Sequence, residues 1–114
     1  RAFRKQKLDE LQKLLSSSRV DKFDYADKLA KDKDAMRQTL LVWESFWRDV
    51  FLSASKADSP LANVDRAEEI AALASQLELP AARQRVRETE RALQQIERNV
   101  NARLLTEVLL LNWN

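Results

Sequence analysis

The chain has 114 residues, enough for one hydrophobic core, with 20 basic and 18 acidic side chains mixed along it and a net charge of +2. It contains no glycine, cysteine or histidine, which removes glycine-rich phosphate loops, disulfides, thiolate metal sites and histidine-based acid–base or triad chemistry. No stretch reaches the ~20 apolar residues of a spanning helix. No apolar run follows the basic start, Arg1 to Lys7, as a signal peptide would require. The first residue is not Met, so the chain is expected to be a fragment of a longer protein, with residues 1–114 forming a single domain.

Strong helix formers dominate, and the apolar residues recur at helical rather than alternating spacing. The first segment, from about Phe3 to Leu15, places Leu8, Leu11 and Leu15 on a narrow stripe, and the serines at 16–18 end it. Ser18 with Asp21 forms a capping box for a second helix running to about Lys31, with Phe23, Ala26, Leu29 and Ala30 on its apolar side. Asp32 or Asp34 can cap the third helix, about 34–55. There Met36, Leu40, Trp43, Trp47, Val50 and Ala54 make one stripe, widened by Val42, Phe46 and Phe51. A helix apolar over most of its circumference belongs at the centre of a bundle.

Residues 55–63 read as a loop marked by Pro60. A fourth helix opens after Asn63 or Asp65 and buries Ala67, Ile70, Ala71, Ala74 and Leu77. Pro80 fits the first turn of a fifth, whose stripe is Ala82, Val86, Thr89, Leu93, Ile96 and Val100. Asn101 caps the last helix, Ala102 to Trp113. Its Leu104, Leu105, Val108 and Leu111 face one way, and Leu109, Leu110 and Trp113 carry apolar surface round the rest. The fold class is therefore all-α, an antiparallel bundle of five to six helices.

The chemistry-bearing residues mostly have structural uses. Trp43 and Trp47 fill the core, whereas Trp113 stands open between core and interface. Arg48 and Asp49 are adjacent and cannot face each other on a helix, so each serves a neighbouring helix or solvent. Asn99 and Asn101 serve caps and turns. Glu68 with Glu69, and Asp32 with Asp34, lack the carboxylates and glycine of a calcium loop. Arg83, Arg85 and Arg87 form the one basic cluster on a helix, with acids interleaved.

Four phrases, in order, carry a resemblance. They are residues 18–26 (Ser18, Arg19, Phe23, Ala26), 43–51 (Trp43, Trp47, Arg48, Asp49), 60–66 (Pro60, Asn63, Asp65, Arg66) and 97–104 (Asn99, Val100, Asn101, Arg103, Leu104), the last followed by Glu107 to Leu111. Together they resemble the C-terminal collar domain of the delta-prime subunit of bacterial DNA polymerase III clamp loaders, a post-AAA+ oligomerisation domain. Ala102 departs from that pattern, which often has Pro there. The resemblance implies an AAA+ module before this segment and a ring of five collar domains. The partners it implies are other clamp-loader subunits, delta and gamma/tau, in a heteropentamer. DNA would be reached only indirectly, through the full complex.

The expected role is a non-catalytic assembly domain in the cytoplasm, without cofactor, metal, membrane or small-molecule substrate. Surplus apolar residues should remain exposed as the subunit interface: Leu109, Leu110 and Trp113 on the last helix, Leu41 and Leu52 on the central one. Two alternatives stay open. One is a gamma/tau-type collar domain; the other is a helical nucleic-acid-binding module using the Arg83 to Arg98 face.

Overall fold

The computed structural model describes residues 2–98 and 101–113; Asn99 and the stripe position expected at Val100 lie outside them. Among the described residues there are six α-helices and no strand: α1 (Ala2–Leu15), α2 (Arg19–Leu29), α3 (Lys33–Ala54), α4 (Ala67–Gln76), α5 (Leu79–Ile96) and α6 (Ala102–Leu111), with a 3-10 turn, Val64–Arg66, leading into α4.

Side-chain caps set three of the helix starts. The Ser18 side chain accepts from Asp21 N–H, Asp32 from Ala35 N–H and Asn101 from Leu104 N–H, each satisfying a donor that the first turn leaves open. Pro80 sits in the first turn of α5. The end of α3 solves a problem created by the lack of glycine. Lys56 takes φ 58°, while Lys56 N–H bonds to Ser53 O and Ala57 N–H to Leu52 O. That is the paired closure in which a left-handed residue ends a helix, a position glycine normally fills.

Helix α3 is the axis of the bundle and packs against α5, α4, α1 and α2, while α6 packs against α2 and α5. Ion pairs show the directions. Arg37 near the start of α3 meets Glu97 after the end of α5, and Arg48 meets Glu90 further back, so α3 and α5 run antiparallel. Met36, Thr39, Leu40, Trp43, Phe46, Trp47, Asp49 and Val50 of α3 are all buried.

The long connection after α3 is held by polar groups. The buried carboxylate of Asp49 accepts from the N–H of Ala62 (3.0 Å) and Asn63 (2.8 Å) and from Asn63 Nδ2 (2.8 Å). Arg4 of α1 donates to Asn63 Oδ1 and pairs with Asp65. Asn63 is thus committed to α3 and α1, and makes no side-chain cap bond to the turn that follows it.

Several expected faces are rotated. In α2 Lys22 is buried and Phe23 lies at the surface. In α4 Ile70 is buried while Ala67 and Ala71 are exposed. In α6 the expected apolar side is turned outward. Leu109 (3% exposed), Leu110 (0%) and Trp113 (3%) are inside, and Leu104 (54%) and Val108 (49%) face solvent. The expectation that Leu109, Leu110 and Trp113 remain exposed is therefore corrected. The reason is aromatic fit. The Trp113 ring packs edge-on against Trp43 (5.1 Å between centroids) and Trp47 (5.5 Å), and edge-to-face pairs add to simple burial. Of the two α3 residues, Leu41 is exposed and Leu52 half-buried.

Candidate functional site

Four other helices contribute to the cluster at the interior end of α6. Trp43 and Trp47 of α3 face Trp113 at the end of α6, and Phe46 packs on Trp47. Tyr25 of α2 stacks on Trp43 and donates a hydrogen bond to Glu10 of α1. Arg85 of α5 lies over the Trp47 ring, 4.7 Å from its centroid, and its Nη2 donates to the Trp113 carbonyl at 2.7 Å. That bond satisfies a carbonyl the helix end leaves open, and the cation over an indole face adds attraction. Burial pulls the Arg85 guanidinium below its ordinary pKa, opposed by the charge of Glu88. Burial, then the charge of Arg85, lowers Lys22 as well. Trp43 is held in place by its indole N–H, which donates to the Lys7 carbonyl at 3.0 Å.

With that side of α6 used internally, its outer side carries Leu104, Val108 and Leu111 at i, i+4 and i+7, the first two exposed and Leu111 half-buried. Such spacing makes one stripe. Arg103 borders it and reaches Glu107 (3.5 Å) and, across to α2, Asp27 (3.9 Å). Next to the stripe, a shallow groove of about 300 Å³ runs between α5 and α6, lined by Glu88, Arg91, Ala92, Gln95, Leu105 and Val108.

The outer side of α5 is basic. Arg83, Arg87 and Arg91, with Arg98 just beyond the helix, are exposed and have no ion-pair partner among the described residues. Arg85, which the sequence groups with Arg83 and Arg87, faces the opposite way into the core. The acids on the α3 side are engaged there, while Glu88 lies on the α6 side and accepts from Gln84. Glu90 approaches Arg48 at 3.5 Å and Glu97 meets Arg37 at 2.7 Å. Glu44, buried in part and close to Glu90, has its carboxyl pushed up, by burial first and that neighbour second.

A wide hollow of about 1040 Å³, open to solvent, lies between α1 and residues 64–69. Its charges are matched in pairs, Arg4 with Asp65, Lys5 with Asp9, and Arg66 with both Asp9 and Glu69. It works as a clasp that ties the start of α4 to α1. Among the described residues no group of acidic side chains could hold a metal ion. None of their helices is long and apolar enough to cross a membrane.

Fold and surface together define an all-helical bundle domain with one side of its last helix left apolar. The family model for the C-terminal part of the delta subunit of DNA polymerase III matches residues 2–114, and the chain belongs to that clamp-loader family. Among curated proteins and solved structures none matches it.

Proposed function

We propose that this chain is the collar domain of a delta-prime-type clamp-loader subunit, a non-catalytic module of the cytoplasm that holds its subunit in a ring with the delta and gamma/tau subunits. The family membership supports clamp-loader subunits as the partners. The outward stripe of Leu104, Val108 and Leu111 on α6 carries the reading, because a lone bundle gains nothing from an exposed apolar stripe on its last helix. Leu41, with half-buried Leu52, offers a second contact on the solvent side of α3. Leu109, Leu110 and Trp113 act on the interface only by anchoring α6 and so fixing which side faces out.

A double variant, Leu104→Ala with Val108→Ala, tests this. Each site lies at the surface, so the melting midpoint should move little, as for changes within about 0.5 kcal/mol each. Sedimentation of the variant subunit with its sibling subunits should show assembly weakened at least about tenfold, a loss on the order of 1.4 kcal/mol. Unchanged assembly would refute docking through α6. Assignment to delta-prime rather than gamma/tau is tested on the complete subunit by ATP binding at its own AAA+ module. Tight binding with hydrolysis favours gamma/tau.

A further inference from the structure

Helix α5 divides its charge in a way the near-neutral chain conceals. Its core-facing residues are Ala82, Arg85, Thr89, Ala92 and Ile96. At 3.6 residues per turn, Arg83, Arg87 and Arg91 fall diametrically opposite them, on a single stripe with Gln94, and exposed Arg98 follows just past the helix end. Glu90 and Glu97 flank that stripe on the side of α3, and there Arg48 and Arg37 hold them. Four guanidiniums are left facing solvent with no carboxylate to answer them among the described residues.

We propose that this stripe is a docking surface for the sugar–phosphate backbone of duplex DNA, bordering at Arg91 the subunit-docking face of α6. At about 1.5 Å per residue, Arg83, Arg87 and Arg91 span roughly 12 Å of α5, one turn apart, with Arg98 two residues past its end. That makes a rigid row of cations able to meet up to four phosphates. Arginine is suited to phosphate because its planar fork donates two hydrogen bonds at once. The surroundings decide among polyanions. The stripe contains no aromatic side chain on which unpaired bases could stack. It contains no apolar anchor of the kind that seats a protein partner or inserts into a membrane surface. Backbone contact to a duplex needs neither, and it carries no sequence preference.

The test is fluorescence anisotropy of a labelled random-sequence duplex of about 30 base pairs titrated with the chain, in KCl from about 50 to 200 mM. The plot of log affinity against log salt should have a slope near −3 to −4, at about 0.9 per phosphate contact. Arg87→Ala with Arg91→Ala should reduce the slope by about 2 and weaken binding at least about tenfold at the lowest salt, with an unchanged thermal melt. Arg87→Lys with Arg91→Lys should retain most of the binding. Lys28→Ala with Lys31→Ala removes the same charge from the end of α2 and the turn after it, where both lysines already pair with aspartates, and should change neither. No binding at the lowest salt, or an equal loss in the α2 variant, overturns the proposal. So does tighter stripe-dependent binding of polyglutamate than of the duplex, which would assign the surface to an acidic protein.

Discussion

Helices α3 and α6 look alike in sequence, each apolar round most of its circumference, yet the bundle treats them differently. Helix α3 is enclosed by α5, α4, α1 and α2, and its polar residues that point inward find partners, as Asp49 does with the loop N–H groups. Helix α6 packs mainly against α2 and α5 and meets α3 at a few side chains, Thr106 on Met36 and Trp113 on Trp43 and Trp47. It spends Leu109, Leu110 and Trp113 on the core and leaves Leu104 and Val108 outside. An all-round apolar helix is therefore either a centre or an edge with a second use. The number of helices packed against it decides which.

Substitutions can break that contrast at its strongest point first. Trp47→Ala removes a fully buried ring that touches Phe46, Trp113 and Arg85. We expect a loss of about 3–5 kcal/mol in urea unfolding, a large part of the total stability of a domain this size. The surface pair Leu104 and Val108 should cost little by the same measurement, as set out above. Similar losses at the two places would mean that α6 is packed as fully as α3.

A smaller effect probes the polar support of α3. Tyr25→Phe keeps the ring stacked on Trp43 but removes the hydrogen bond to Glu10. Burial pushes the Glu10 carboxyl up, but the bonds from Tyr25, Gln6 and Lys7 outweigh it and hold its pKa below the ordinary 4.5. A carboxylate with a depressed folded pKa contributes stability that is present above its unfolded value and lost as pH falls through the folded one. The variant should be less stable by about 1.5 kcal/mol at neutral pH. That deficit should narrow as pH drops below about 4.5, followed by chemical denaturation across the acid range. A deficit independent of pH would show that the hydroxyl does not support the charged form.

The smallest expected change is a gain. Lys56→Gly relieves the left-handed residue that ends α3 and should raise stability by about 1 kcal/mol, seen as a higher melting midpoint in calorimetry. No gain would mean that the lysine side chain offsets its own backbone strain.

Much of the architecture was legible because it depends on local rules. Ser18, Asp32 and Asn101 cap the helices they precede, and α3 could be recognised as central from the width of its apolar surface. The orientation of α6 was not legible, and on α2 and α4 only part of it was: Ala26, Leu29 and Ile70 are buried as expected, while Phe23, Ala67 and Ala71 are exposed. Periodicity finds a stripe but cannot rank two stripes on one helix, and it excludes a buried Lys22 or Thr106 in advance. The basic face from Arg83 to Arg98 was legible, but not which of its arginines would turn inward. Arg83, Arg85 and Arg87 look like one cluster in sequence, but Arg85 is a core residue bound to the Trp113 carbonyl. Arg91 belongs with Arg83 and Arg87 only on a folded helix.

What the sequence determined by itself is the set of helices and their ends, since caps, propensity and the lack of glycine act within a few residues of chain. Only the tertiary structure decided which side of α6 is inside and which arginines are left unpaired. Both depend on contacts between residues far apart in the chain, such as Trp43 with Trp113 and Arg37 with Glu97. A side chain is committed to core or surface only when its neighbours across the bundle are in place.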